Sequence, residues 1–409
     1  MEKMISFDQA KKLILAKTDM LAPELVDVHK ALGRVIAHDA LALVSLPICQ
    51  VSFRDGYALN SEEAVPGKKL KIAGSILSGN PLAESLTPGA AFWIVTEAVI
   101  PEDADAVVEE ESVNKDGEFI ELKESVEPGT NVRQVGEEFN EGDLLVRKGT
   151  VLSEREVALL IAGGHFELEM IRRPRLWVIA AGDELRHPGS VIRAGQEYPS
   201  AGWLTAMLSE QLGCELARVI LVEDTVEALL EEIPVPESAD LVITVGGTGF
   251  GQKDIIEETM KELGAEIIFQ GVRVRPGHSF TFSKKGRQVI FSLPGRINAA
   301  EIGFELLAGP GIFKMQGKLE LEHLLINART QKEIGSAGEQ RHVLRGRIEN
   351  KSGEVWVEPL RRKSWHKEMV EADGLIIIEE NRGNVKPGEY VNFMLHRNRL
   401  EAMVSKKLV

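Results

Sequence analysis

The residues best suited to chemistry follow directly on short apolar runs. In ADLVITVGGTGFGQKD, Ala239 to Asp254, the β-branched run Leu241 to Val245 predicts a buried parallel strand. Gly246, Gly247, Gly249 and Gly251 come next, and Asp254 is a suitable N-cap for the helical pattern IIEETMKELG. Strand, glycine loop and helix start together make an anion site. Glycines let backbone N–H groups reach a ligand, and a helix N-terminus adds partial positive charge. The spacing matches neither GxGxxG nor the Walker pattern, so the loop taken alone reads equally well as a tight turn.

Other polar groups recur at the same kind of position. Gly182-Asp183-Glu184 follows RLWVIAA, and Glu223-Asp224 follows CELARVILV. Arg273, Arg275, Pro276, Gly277 and His278 follow AEIIFQGV, and Pro294-Gly295 ends a hairpin-like SFTFSKKGRQVIFSL. Carboxylates and a basic cluster around a glycine anion loop suit a phosphate-bearing ligand held through Mg²⁺. Outside this region, Asp55 beside Gly56 and Thr96-Glu97 after the run AFWIV are, taken singly, more often turn chemistry than a site. Arg133 close to Glu137-Glu138 reads as a structural ion pair.

The elements that must position these groups alternate. From Pro174 onward the order is strand, helix, strand, helix, strand, glycine loop and helix, and it ends on a helix from about Asn298. That alternation predicts a doubly wound, mostly parallel α/β sheet with ligand at the strand carboxyl ends. Before it, Ser6 with Gln9 and Ser153 with Glu156 spell capping boxes for two helices. A helix-like piece covers about Val26 to Gly33, and Arg54 lies within a polar turn. Short strand-like runs broken by Gly, Pro and Asp turns fill residues 46–138, and five more follow Lys318. The expected division is 1–45 with 139–172 as an elongated, partly helical N-terminal domain, and 46–138 as an inserted β-rich domain. Residues 173–317 form the α/β domain and 318–409 a C-terminal β-barrel-like domain. The class is thus α/β plus β, multidomain. Arg341, Arg345, Arg347, Arg361, Arg362 and Lys363 make the last part locally basic, which reads as a solvated face.

Composition narrows the partners. A net charge of −15 over 409 residues argues against non-specific nucleic-acid binding and means an anionic ligand needs a locally basic pocket. Cys49 and Cys214 make neither a disulfide framework nor a zinc set. No apolar run approaches the length of a membrane span, and MEKMISFDQAKK lacks a signal-peptide core, so a cytoplasmic, non-membrane protein is expected.

The order of these motifs over essentially the whole chain resembles the molybdopterin molybdenumtransferases, the MoeA and gephyrin E-domain family. Asp55-Gly56-Tyr57-Ala58 stands for the family's DGYA, and Asn131-Val132-Arg133 through Gly136-Glu137 for its N-I/V-R-x-x-G-E. Gly182-Asp183-Glu184-Leu185 stands for TGDEL, and Gly246-Gly247 with Gly251 and Asp254 for SGGxSxGxxD. Pro276-Gly277 stands for PGKP and Leu293-Pro294-Gly295 for LPGNP.

The resemblance implies an elongated homodimer with a molybdopterin-binding α/β domain. The implied reaction inserts molybdenum from molybdate into adenylylated molybdopterin, releasing AMP with the help of Mg²⁺. It implies catalytic roles for Asp55, Thr96, Glu184 and Asp254, with metal held by Asp55, Glu184 and Asp254. The ligand would lie on Gly246, Gly247, Gly249, Gly251, Arg275, Pro276, Gly277, His278, Pro294 and Gly295. Glu138 matches a family aspartate position, and Asp224 a further candidate. Molybdoenzymes or other cofactor-biosynthesis proteins are the implied partners besides the pterin nucleotide and the oxyanion.

Departures fall within the motifs themselves. Ala181 and Val245 replace a threonine and a serine, each removing a hydroxyl, and Gly249 replaces the later serine. His278 replaces a lysine, and a histidine carries less fixed positive charge at neutral pH. Arg54, Arg273 and Arg296 are the cations expected to restore charge to the pocket. The alternative reading is a catalytically impaired paralogue that binds or carries the cofactor or assists a molybdoenzyme.

Overall fold

The computed structural model describes residues 2–79, 85–248, 255–321, 323–361 and 364–399. The chain forms two compact units, one of Met1–Glu24, Gly33–Val35 and Met170–Val409, the other of Leu25–Leu32 and Ile36–Glu169.

The first unit is built on a seven-stranded sheet. Its strands are β1 (Glu2–Ile5), β2 (Arg175–Ala181), β3 (Glu215–Val222), β4 (Leu241–Val245), β5 (Glu266–Val272), β6 (Thr281–Lys285) and β7 (Gln288–Leu293). The spatial order is β1-β5-β6-β7-β4-β2-β3. Strands β3, β2, β4 and β7 run parallel, joined by crossover helices, and β6 is the antiparallel strand of the hairpin with β7. Every residue of β4 is buried, the pattern of a strand covered on both faces.

The crossover helices are α2 (Ser200–Gln211), α3 (Val226–Glu232) and α4 (Ile255–Glu262), and α1 (Phe7–Lys17) precedes them in the chain. Ser6 caps α1 by accepting the Gln9 N–H, and Thr225 caps α3 by accepting that of Ala228. Phe269, Phe280, Phe282 and Phe291 make a continuous aromatic core on one face, with neighbouring ring centroids 5.3–6.0 Å apart. Helix α5 (Ile297–Gly303) continues through a π turn, Phe304–Ala308, into α6 (Gly309–Met315).

The same unit ends in a closed five-stranded barrel of β8 (Leu325–Thr330), β9 (Arg341–Lys351), β10 (Glu354–Pro359), β11 (Gly374–Ile378) and β12 (Tyr390–Leu395). The strands close in the order β9-β10-β8-β12-β11 and back to β9. Helix α7 (Trp365–Glu371) lies between β10 and β11, and the two-residue strand Val274–Arg275 pairs in parallel with the start of β9.

The second unit carries a six-stranded sheet that includes Gly56–Leu59, Lys69–Ile76, Ala90–Ile94 and Ala106–Glu109. Its helix Glu154–Ala162 starts on the Ser153–Glu156 capping box that the sequence spells. The helix-like reading of Val26 to Gly33 is corrected: Pro23–Asp27 is a strand and only Val28–Lys30 makes a single 3₁₀ turn. Pro23 and the β-branched Val26 favour an extended start, and Gly33, at φ +72°, turns the chain away. Among the described residues, no helix is long and apolar enough to cross a membrane.

Candidate active site

Parallel register brings the ends of β2, β4 and β7 side by side. Ala180 lies opposite Val245, and Val245 opposite Leu293. Gly182, Gly246, Gly247, Pro294 and Gly295 therefore share one rim, and with Arg275, Pro276, Gly277 and His278 they line a cavity of about 910 Å³. This is the strand-end crevice where a doubly wound sheet takes its ligand.

The glycines are required by close approach. Gly246 has φ +104°, and a Cβ there would lie 2.1 Å from the Ala181 carbonyl oxygen. At Gly247, φ is +67° and a Cβ would lie 2.9 Å from the Ile255 side chain. The Gly246 N–H donates to Leu293 O at 3.0 Å, so this glycine closes the rim and does not offer its N–H to an anion. Gly249, Gly251 and Asp254 lie outside the described residues.

Glu184, Glu197 and Asp224 are the carboxylates that line the cavity among the described residues. Glu184 folds back over Gly182, where a Cβ would lie 2.7 Å from its Oε1, so only glycine admits this rotamer. Asp224 lines the same cavity, its Oδ1 3.3 Å from where a Cβ on Gly247 would stand. Asp183 instead accepts the Asp224 N–H at 3.0 Å and ties the two loops together. Among the described residues, no three His, Cys, Asp or Glu side chains gather tightly enough to hold a metal. Glu184 and Asp224 on one rim are nonetheless the partial donor set that suits Mg²⁺, which keeps waters and takes phosphate oxygens for its other ligands.

Part of the wall comes from α7. Trp365 and His366, its first two residues, line the cavity, as do Ser200, Glu197, Thr248 and Asn298. His366 Nε2 and Ser200 Oγ are 3.0 Å apart, and the Arg296 guanidinium lies 5.7 Å from the Trp365 ring centroid. The sequence reading did not single out Trp365, His366, Glu197 or Thr248. No local motif marks Trp365 or His366, because their place depends on α7 folding against the α/β sheet from a distant part of the chain, whereas Thr248 lies within the glycine loop itself.

Behind that wall sits a buried ion cluster. Arg345 donates through Nε to Glu301 Oε2 at 2.9 Å, and its Nη1 is 3.8 Å from Glu368. Burial pushes the Glu301 carboxyl upward, and the Arg345 guanidinium opposes the shift. Arg341 pairs with Asp8 and Glu379 and lies over the Phe7 ring, 4.2 Å from its centroid. The solvated-face reading of the barrel arginines is therefore corrected for both residues: Arg345 is only 3% exposed and serves as an internal cross-link.

Asp55 and Thr96 lie together in the second unit, where the Thr96 N–H and hydroxyl both donate to Asp55 Oδ1 at 2.7 Å. The N–H bond first, then the hydroxyl, holds the Asp55 carboxyl below its ordinary range. Arg133 pairs with Glu97, Glu137 and Glu138, the ion pair read from the sequence with one partner added. Of the three arginines expected to restore charge to the pocket, only Arg296 lines it. Arg273 turns to Glu380, at 3.9 Å, and Arg54 to Glu109, at 3.3 Å.

Comparison with known proteins fits this architecture. Residues 5–164 match the family model for the MoeA N-terminal region (domain I and II), and 177–314 match the "Probable molybdopterin binding domain". Residues 327–396 match the MoeA C-terminal region (domain IV). The chain is 30% identical to a molybdopterin molybdenumtransferase of Haemophilus influenzae over 399 residues, 95% of this chain and 98% of that protein. It is 28% identical to one of Staphylococcus aureus, over 87% of this chain and 86% of that protein. A molybdopterin biosynthesis MoeA protein of Pyrococcus horikosii superposes with TM-score 0.84 at 26% identity, covering 96% of this chain and 99% of the other. With matches to three consecutive family regions and full-length relatives of the same name, the chain belongs to the MoeA family, the molybdopterin molybdenumtransferases of molybdenum cofactor biosynthesis.

Proposed function

We propose that this chain inserts molybdenum from molybdate into adenylylated molybdopterin and releases AMP, and that the cavity at the ends of β2, β4 and β7 holds the reacting phosphates. The observation that carries the reading is the joint lining of one cavity of about 910 Å³ by Gly246–Gly247, Arg275, His278, Glu184 and Asp224. Anionic phosphates need cations and close backbone, and Arg275 with Arg296 supplies cations that the net acidic chain otherwise lacks there. The Arg275 backbone is paired with β9, which fixes the base of its side chain at the rim. A phosphoanhydride breaks most easily when charge building on its leaving phosphate is neutralised. In this site Arg275 and His278 face that charge and Glu184 orients the reacting end. Glu184 and Asp224 would hold Mg²⁺, which supplies further neutralisation when bound. Asp254 is proposed as catalytic through its motif position alone, and Asp55 with Thr96 is proposed as a catalytic pair of the second unit on the same basis. Gly249, Gly251, Pro276, Gly277, Pro294 and Gly295 remain ligand-binding assignments.

The test is AMP release from adenylylated molybdopterin by purified Arg275→Ala and Glu184→Gln variants with Mg²⁺ and molybdate. At least a tenfold loss in each, with unfolding temperatures close to wild type, supports the site. Full activity in both would overturn it.

Three further parts belong to the same proposal. A homodimer is supported by exposed Leu43, Val44, Leu159, Ile161 and Phe166, which cluster around Gly163–Gly164 in the second unit. A cytoplasmic location follows the family's biosynthetic role. The division into four domains is supported by the separate family matches, with β1 and α1 packed on the α/β part.

A further inference from the structure

We propose that Trp365 is a stacking platform that binds the planar nitrogen heterocycle of the ligand, adenine or pterin, within the cavity that the glycine rim also lines. The proposal deepens the reading of this cavity as a nucleotide site and rests on it. An indole offers a large flat apolar face, and a purine or pterin ring buries its own face against such a surface at little conformational cost.

Four features make Trp365 more than an exposed aromatic. It opens α7 and lines the cavity while staying 42% exposed, so part of its ring faces open space that a ligand can fill. The Arg296 guanidinium lies over the ring, 5.7 Å from the centroid, which fixes the indole and puts a cation beside it. Arg296 directly follows Pro294–Gly295, so that cation stands between the phosphate rim and the aromatic wall. The next residue, His366, is anchored to Ser200 of α2 at 3.0 Å, which holds the start of α7 against the α/β sheet.

The arrangement matches a ligand with phosphate at one end and a flat ring at the other. Glycines and Arg275 would take the phosphate, Arg296 the middle, and Trp365 the ring. Trp365 then acts as a specificity residue: it rewards the ring and contributes nothing to a bare sugar phosphate.

Calorimetric titration of the full-length protein with AMP, ribose 5-phosphate and 6-hydroxymethylpterin tests this, using wild type, Trp365→Ala and Trp365→Phe. Stacking of one base is worth about one power of ten in affinity or more. Trp365→Ala should therefore lose tenfold or more for AMP or for the pterin, while binding ribose 5-phosphate as wild type does. Trp365→Phe should recover most of the loss, and thermal unfolding should be unchanged in both. The probe that weakens identifies the ring. If Trp365→Ala binds AMP and the pterin as tightly as wild type, the platform is overturned while the phosphate site stands. An equal loss for ribose 5-phosphate would also overturn it, because the wall would then be structural. If wild type binds none of the three probes, the nucleotide reading of the cavity falls and the platform with it.

Discussion

At the scale of single residues, the site depends on backbone approach as much as on charge. Gly246 adopts φ +104° and sits against the Ala181 carbonyl, so Gly246→Ala meets both backbone strain and a steric clash. Strain of this kind costs about 1–3 kcal/mol, and relief of the clash must push β2 and β4 apart at the rim. The variant is expected to unfold at a lower temperature and to bind AMP at least tenfold more weakly, measured by calorimetry on one preparation. Wild-type stability would show that the rim tolerates a side chain and that the glycine is not needed there. Gly264 gives the contrast: its φ is also positive, at +69°, but a Cβ there would meet nothing within 4 Å, so strain acts alone.

At the scale of elements, α5 and α7 are bound together through one buried arginine. Arg345→Leu would remove the arginine that pairs with buried Glu301, a change of the kind that costs about 3–5 kcal/mol. Removing the acid as well, in Arg345→Leu with Glu301→Leu, should recover most of the loss in urea unfolding. Equal stability of the single and double variants would contradict the cross-link. A second buried group sets a pH dependence. Burial lowers the His323 pKa from 6.5 to about 4, so the folded imidazole refuses a proton that the unfolded one accepts. Its contribution is full above pH 6.5 and is lost as pH falls toward 4, at up to about 1.4 kcal/mol per pH unit for that one proton. Glu305, raised by burial to about 7, works in the opposite sense across pH 4.5–7. His323→Gln is expected to flatten the acid limb of the stability curve; an unchanged slope would contradict the assignment.

Much at this scale was legible in the sequence, for reasons that can be named. Leu241 to Val245 is apolar and β-branched throughout, and only a doubly covered strand accommodates that. Ser153 and Glu156 form their capping box from local geometry alone. Trp365 and His366 were not legible, because their neighbours Arg296 and Ser200 are far away in sequence. Arg345 misled for the same reason: a run of arginines reads as solvated until Glu301 arrives from a distant part of the chain. Val26 to Gly33 failed because an apolar spacing of a few residues fits a strand followed by a single turn as well as it fits a helix.

At the scale of the whole molecule, the proposed dimer and the proposed reaction make separate predictions. Leu43→Glu puts a charge in the exposed apolar cluster beside Gly163–Gly164 and should give a monomer by light scattering after size exclusion. A wild-type monomer, or a Leu43→Glu dimer, would show that this surface is not the dimer interface. The proposed insertion is tested by following AMP release from adenylylated molybdopterin with Mg²⁺, in the presence and absence of molybdate. Release should rise with molybdate and yield a molybdenum-bearing cofactor. Binding of the pterin nucleotide without molybdate-dependent release would contradict it and leave a carrier in place of an enzyme.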